Sequence, residues 1–256
     1  MAILQDGLPG DFFTGPLPGI RPLTGPWLPV DGAFAAQMDL RDRLIRTRRS
    51  EVIAAMPGAD AAAQELLREV AADVAAQPGT GRSPGGLRRA DGAEIPLDGA
   101  DPMAAAGRLT QSDLCLLDKA PGAAQHVLIA AVLCFPASWT LSEKIGRPLS
   151  AIHGPVASYD ADVARRVQRL FDGVRVGRPL VRHNRLAYAD PALHQPRSEK
   201  APKEEPLDAR YVRSERQVVR RLPETGAVVF SIHTTVIPAG VRTWTAPTAP
   251  GAEPTA

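Results

Sequence analysis

Five short segments with the character of β-strands constrain the fold of this chain more than any other feature. Two lie in the middle, "DLCLLDK" and "QHVLIAAVLCFP", and the turn-like segment "APGAAQ" separates them. Three follow near the end: "RPLVRHNRLAY", "RYVRSERQVVRRL" and "GAVVFSIHTTVI", with "PETG" between the last two. Short turns between apolar runs are typical of hairpins, whose strands pair antiparallel. The pattern predicts a five-stranded, largely antiparallel sheet.

Helical periodicity fills the chain before and between these runs. Apolar residues recur at helical spacing from Phe34 to Met56, again from Asp60 to Val74, and a third time after Asp160. In the third segment the arginines on the face opposite the apolar residues are expected to be solvated. The order of elements predicts an α+β fold of the PAS-like type, with a five-stranded antiparallel sheet, helices on one face and an N-terminal helical pair.

Composition along the chain suggests four segments. Residues 1–32 are rich in Pro and Gly and predict an N-terminal arm that lies on another part of the protein. Residues 33–100 hold the helical pair and a loop, residues 101–238 the PAS-like domain, and residues 239–256 a low-complexity tail.

Charge and cysteine content exclude several classes of protein. The chain has 30 basic and 28 acidic residues, which predicts no nucleic-acid partner. It has no run of about 18 apolar residues and no signal-like start, so we expect no membrane segment and a cytoplasmic location. Cys115 and Cys134 have apolar neighbours and are too few for an iron–sulfur cluster, so buried thiols are expected.

Common catalytic motifs are absent from the sequence. It contains no Gly-x-Ser-x-Gly, His-Glu-x-x-His, Gly-x-Gly-x-x-Gly or Cys-x-x-Cys pattern. If the chain is an enzyme, its reactive group is therefore expected to be borrowed from a cofactor.

Histidines are the first candidates to hold such a group. His153 follows an apolar helical stretch and precedes Gly154-Pro155, so it is either an axial heme ligand or a structural histidine. His233, on the more polar side of the last strand, is the second choice. His126 and His194 lie beside turn residues and are expected to be solvated.

The strand "RYVRSERQVVRRL" carries charged residues on both of its faces. Such a strand is usually an exposed edge of a sheet. The alternative is that Arg216, together with Arg182 on the neighbouring strand, binds anionic groups such as heme propionates.

Several long blocks resemble a known family. The stretches "LTQSDLCLL", "VLCFPASWTLSEKIGRPLSAIHGPV" and "RSERQVVRRLPETGAVVFSIHT" are similar to the heme-dependent oxidative N-demethylase family, alpha-subunit type, and the resemblance covers roughly residues 20 to 238. It implies a PAS-like fold that holds heme b, with oxygen activated at the iron to demethylate a small secondary amine and release formaldehyde. His153 falls on the family's Ile-His-x-Pro-Val block, which implies that it is the proximal iron ligand. Asn184 keeps the polar feature of an Arg-x-Asn-Trp block and is a further cofactor-binding candidate.

The same resemblance implies a partner. The chain has neither a dinucleotide fingerprint nor enough cysteines for a cluster, so electrons must come from elsewhere. The family implies a separate flavin and iron–sulfur reductase that draws on NADPH.

Departures from the family pattern leave alternatives open. Arg185 and Thr235 stand where the family commonly has aromatic residues, and the chain after Pro238 lacks a further helical segment. A second hypothesis is therefore a non-catalytic PAS-like module that binds heme or a small ligand. A third is an interaction domain in which His153 only forms local hydrogen bonds.

Overall fold

The computed structural model describes residues 2–15, 19–153, 161–201 and 208–241, and it describes only the backbone of residues 153 and 161. The helices are α1 (Phe34–Thr47), α2 (Arg49–Val52), α3 (Asp60–Ala75), α4 (Pro102–Leu109), α5 (Leu149–His153) and α6 (Ala161–Gly173). The strands are β1 (Arg21–Pro22), β2 (Ile53–Ala55), β3 (Gly81–Ser83), β4 (Gly86–Arg88), β5 (Glu94–Pro96), β6 (Asp113–Asp118), β7 (Val127–Val132), β8 (Leu180–Tyr188), β9 (Tyr211–Arg221) and β10 (Val228–Pro238). None of the helices within these ranges is long and apolar enough to cross a membrane.

One large antiparallel sheet organises the chain, which confirms the α+β class. Its strand order is β1-β8-β9-β10-β6-β7-β2, and β3, β4 and β5 form a separate small sheet. The five predicted strands are β6 to β10, and β6 and β7 form the expected hairpin. The predicted count of five is wrong, because the short strands β1 and β2 pair with β8 and β7. Segments of two or three residues are too short to show an alternating pattern in the sequence.

Strand β9 lies inside the sheet, and its predicted position at an exposed edge is wrong. It pairs with β8 on one side and with β10 along its whole length of 11 residues on the other. Most of its side chains are buried, including charged ones. Charged residues on both faces of a central strand need buried partners, and other parts of the chain supply them.

Helices cover both faces of the sheet, so the prediction of helices on one face is wrong. We call the two sides the arm face and the α6 face. The arm face carries Val218 of β9 in one apolar cluster with residues of α1, α3 and α4. The α6 face carries Val219 of β9 in a second cluster with residues of α5 and α6. Because successive residues of a strand point to opposite faces, β9 contributes to both clusters.

The first predicted helix is shorter than expected. Helix α1 ends at Thr47, and Ile53–Ala55, which was predicted as helix, forms strand β2 against β7. Helix α3 begins at Asp60. Helix α4 packs against both α1 and α3. The apolar residues of this region satisfy a sheet edge as well as a helix face, and their spacing alone does not distinguish the two.

A buried ion pair joins α1 to the sheet. Arg41 Nη1 lies 2.6 Å from Asp113 Oδ1, and both side chains are fully buried. Arg41 also donates to the carbonyl oxygens of Gly107 and Ser112, while Asp113 accepts the backbone N–H groups of Cys134 and Phe135. The charged groups are thereby saturated with hydrogen bonds, which burial requires.

The two cysteines are buried and free, as predicted. Burial raises the pKa of the Cys134 thiol to about 12. Burial also raises the pKa of Cys115. Both thiols therefore stay protonated at neutral pH and act as small apolar side chains.

Candidate functional site

A row of three polar residues crosses the arm face. The register of the strands places His183 of β8, Arg216 of β9 and His233 of β10 side by side. All three are almost fully buried. We call them the histidine row. Two imidazoles and a guanidinium on one buried surface need acidic or polar partners from outside the sheet.

The N-terminal arm, taken as residues 2–15 and 19–32, supplies these partners. Asp11 Oδ2 accepts a hydrogen bond from Arg216 Nε at 3.1 Å, and the Asp11 Oδ1 atom lies 3.5 Å from His183 Nε2. Asp31 Oδ2 lies 3.0 Å from His233 Nε2. The arm therefore lies on the sheet.

Backbone and aromatic groups of the arm complete the cover. The carbonyl oxygens of Trp27 and Pro26 accept hydrogen bonds from Nη1 and Nη2 of Arg216. Phe12 and Phe13 contact the His183 ring edge-on. Arg216 and His233 thus have protein partners on the arm face. Their assignment to a cofactor stays a prediction.

Acid is expected to loosen the arm. The His183 imidazole and the Arg216 guanidinium hold the pKa of Asp11 at about 2. Burial alone would raise the pKa of Asp31, but His233 outweighs it and holds that pKa at about 2 as well. A carboxyl group whose pKa is lower in the folded than in the unfolded state stabilises the fold at pH values above its ordinary pKa of 3.8. This stabilisation is lost as the pH falls towards 2. Each carboxylate is expected to contribute about 1 to 2 kcal/mol after solvent screening.

Urea unfolding at pH 5 and at pH 2.5 measures this effect. The Asp11→Asn, Asp31→Asn double variant should be less stable than the wild type at pH 5, and it should lose less stability between the two pH values. Asp39→Asn, at an exposed position of α1, is the matched control and should behave like the wild type. Equal losses in the wild type and the double variant would contradict the prediction.

A second polar group lies on the α6 face of the same strands. Asn184 Nδ2 and Gln217 Nε2 both donate to Glu215 Oε2, at 2.8 and 2.9 Å. Arg182 Nη1 donates to Gln217 Oε1 at 2.9 Å. These hydrogen bonds form one connected network across β8 and β9. Arg182 and Asn184 are therefore together on this face, while Arg216 and His233 are on the other.

Arg182 is the member of this network with unused binding capacity. Its side chain is half-buried, and its buried Nε atom has no hydrogen-bond partner. Burial lowers the pKa of the Arg182 guanidinium, and the charge of Glu215 only partly offsets this. A guanidinium in such a position can bind a further anionic group with little new desolvation cost.

Apolar side chains of the sheet and of the helices α5 and α6 lie on the same face as Arg182. Ile152 of α5, Val167 and Leu170 of α6, and Leu180 and Phe230 of the sheet pack against one apolar cluster and stay only partly buried. A flat apolar cofactor with acidic substituents needs an apolar surface with a cation at one end, and these residues and Arg182 offer both.

The predicted iron ligand lies at the border of the described chain. Helix α5 ends at His153, directly after Ile152, but the His153 side chain and residues 154–160 lie outside the described residues. Its role as the proximal ligand therefore stays a prediction. Within the described ranges, no group of three His, Cys, Asp or Glu side chains could hold a bare metal ion.

Two other histidines are less exposed than predicted. The expected solvation of His126 is wrong: the ring is buried against Phe171, and its Nδ1 atom lies 3.0 Å from Gln168 Nε2. Both partners belong to α6, so only the tertiary structure brings them to the turn before β7. His194 is mostly buried, with its Nδ1 atom 2.8 Å from the Cys134 carbonyl oxygen.

Sequence reasoning missed Glu215 and Gln217 as parts of the site. The available signal was the alternation in β9, where polar residues occupy both faces. Such alternation is also typical of an exposed edge, whereas in this protein each face of β9 has its own buried polar group.

Comparison with known proteins agrees with the resemblance in the sequence. The family model described as "Haem-dependent oxidative N-demethylase, alpha subunit-like" matches residues 19–241. The chain belongs to this family. No curated protein matches the chain. The name of the N-demethylase alpha-subunit-like family indicates dependence on heme and an assembly with another kind of subunit.

Two residues that were expected to depart from the family pattern lie in one row of the sheet. Arg185 of β8 and Thr235 of β10 both face Ser214 of β9, in a row next to the histidine row. They are on the arm face, so neither side chain lines the α6 face.

Proposed function

We propose that the chain is the heme-binding subunit of an oxidative N-demethylase, with heme b on the α6 face. In this proposal it oxidises the methyl group of a small secondary amine and releases formaldehyde. The observation that carries the proposal is the half-buried Arg182 with its unpaired Nε atom, on the same face as the partly buried apolar residues next to the end of α5. The family match supplies the chemistry that this surface would serve.

The fold supports a PAS-like assignment. Among the five long strands, the order across the sheet is β7-β6-β10-β9-β8, and α5 and α6 lie between β7 and β8 in the chain. A cofactor held between such helices and the sheet is shielded from water by both layers.

Each residue of the α6 face has a defined part in this proposal. His153 is the proximal iron ligand. Arg182 pairs with a propionate, and Gln217, which Glu215 and Asn184 hold in place, fixes the Arg182 side chain. Ile152, Val167 and Phe230 exclude water from the reacting groups. When bound, the heme supplies the iron at which oxygen is activated.

A second protein must supply electrons. The sequence contains no dinucleotide fingerprint and only two cysteines. From the family resemblance we propose that this second protein is a separate flavin and iron–sulfur reductase that uses NADPH, and we propose a cytoplasmic location for both proteins.

Replacing Arg182 by glutamine is expected to weaken heme binding about tenfold. The change removes a charge-assisted hydrogen bond worth about 1.5 kcal/mol. Heme titration followed by Soret absorption measures the dissociation constant. Arg185→Gln is a matched control, because this exposed arginine is three positions along the same strand and on the opposite face. Equal effects of the two substitutions would contradict the role of Arg182.

Turnover separates the demethylase from a binding module. Heme-loaded protein is incubated with a chemical reductant, oxygen and small secondary N-methylamines, and formaldehyde is trapped. Formaldehyde release is the expected result. Heme binding without formaldehyde would favour the non-catalytic PAS-like module, and absence of heme binding would leave only the interaction domain.

A further inference from the structure

Five exposed arginines lie on helix α6 and in the turn that follows it. Three belong to the helix, Arg165, Arg166 and Arg169, and two belong to the turn that leads to β8, Arg175 and Arg178. We call these five residues the arginine surface. The two members in the turn are joined by an isolated β-bridge, so the turn is a defined structure.

Few acidic groups neutralise this surface. Asp162 pairs with Arg165 at 3.1 Å, and Asp172 is taken by Lys119 at 2.6 Å. The other four arginines have no carboxylate within 4 Å among the residues that the structure describes. Four unpaired positive charges on one short stretch repel one another, and an acidic partner would relieve this repulsion.

An apolar tip accompanies the charges. Val176 lies between Arg175 and Arg178 in the turn and is 50% exposed, one of the few large apolar residues at the surface of the described chain. A large apolar residue with a charged rim is the usual composition of a protein interface, whereas a purely solvated helix needs only charges.

The position of this surface relates it to the site. The opposite side of α6 packs into the cluster that contains Leu180 and Phe230 on the α6 face of the sheet. A protein bound to the arginine surface is therefore separated from that face by one helix, about 10 Å thick.

We propose that the arginine surface docks the acidic surface of the iron–sulfur protein that delivers electrons to this chain. This inference rests on the proposed function. The docked donor would give up one electron from its reduced cluster, and heme held on the α6 face would accept it, with no proton or group transferred. Basic and acidic residues nearly balance over the whole chain, which has a net charge of +2. This balance favours an acidic protein that binds at one positive surface over a polyanion such as nucleic acid.

The test uses a plant-type [2Fe–2S] ferredoxin with an acidic surface as the probe. Calorimetry measures its binding to the full-length protein at an ionic strength of about 0.01 M, where the Debye length is about 30 Å, and again at about 0.15 M, where it is about 8 Å. Stopped-flow absorption measures the rate at which the reduced probe reduces the heme. The wild type is expected to bind, and its rate should fall as salt is added.

A triple variant, Arg166→Glu, Arg169→Glu and Arg175→Glu, is expected to lower affinity and rate at least tenfold at low salt. Its salt dependence should also be lost. The double variant Arg82→Glu, Arg88→Glu is the control, because these exposed arginines lie in the separate small sheet. Wild-type values in the triple variant, or no binding of the probe to the wild type, would overturn the proposal.

Additional measurements distinguish a failure of docking from a failure of folding or of heme binding. Reduction by dithionite should be unchanged in the triple variant, since it needs no docking. If that variant does not fold, the milder Val176→Asp variant must still lower the probe's affinity, and an unchanged affinity would overturn the proposal.

If the wild type binds no heme, the proposed function fails, while calorimetry still tests whether the arginine surface binds the probe. Tighter binding of a short DNA duplex or of anionic vesicles than of the probe would overturn the proposal in favour of a polyanion site.

Discussion

Replacing His153 by alanine is expected to weaken heme binding by more than about 100-fold. Loss of the axial bond would leave only apolar contacts and the pairing of propionates with Arg182, and even outer partners of a metal site are each worth about 10- to 100-fold. The measurement is the absorption spectrum of protein made with ample heme, oxidised and reduced, beside the same spectra of the wild type. The Soret band should disappear or shift in the variant.

The His194→Ala variant is the control for this experiment. The His194 side chain is mostly buried and hydrogen-bonds the Cys134 carbonyl oxygen, so its loss should leave the spectrum unchanged. Full heme retention with an unchanged iron spectrum in the His153 variant would contradict the assignment. His183 and His233 would then become the candidate iron ligands. The N-terminal arm would have to move away from the histidine row before either of them could reach a cofactor.

Replacing Asp113 by alanine is expected to lower the free energy of unfolding by about 3 to 5 kcal/mol. The change leaves the fully buried Arg41 guanidinium without its counter-charge and leaves the N–H groups of Cys134 and Phe135 without an acceptor. Urea unfolding followed by circular dichroism measures the loss.

An exposed ion pair gives the comparison. Arg68 and Glu224 lie 2.5 Å apart with more than half of each side chain exposed, so Glu224→Ala should cost about 0 to 1 kcal/mol. A similarly small effect of Asp113→Ala would show that the protein does not depend on the pair between α1 and the sheet. Such a result would also indicate that water reaches Arg41.

Local pattern was sufficient to predict the elements with strong periodicity. Strands β6 to β10 and helix α6 are found where apolar residues alternate or recur at helical spacing. The hairpin between β6 and β7 followed from Pro121-Gly122, where Gly122 has a φ of 78° that favours glycine. Short β1 and β2 could not be predicted, because a strand of two or three residues exists only through its partner.

The family and the candidate cofactor were also accessible from the sequence, because they depend on long blocks of residues in a fixed order. The two faces of β9 were not. Glu215 and Gln217 bind Asn184 and Arg182 on one side, while Arg216 meets Asp11 on the other, more than 200 positions earlier in the chain. No local pattern contains such a pairing.

The sequence was sufficient to predict the α+β class, the long strands, helix α6 and the family. The tertiary structure alone decided that β9 is central, that helices cover both faces, and that Arg182 and Arg216 are on opposite sides of the sheet. The physical reason is that hydrophobic periodicity is a local property, whereas the partner of a buried charge is set by which distant segments the fold brings within hydrogen-bond distance.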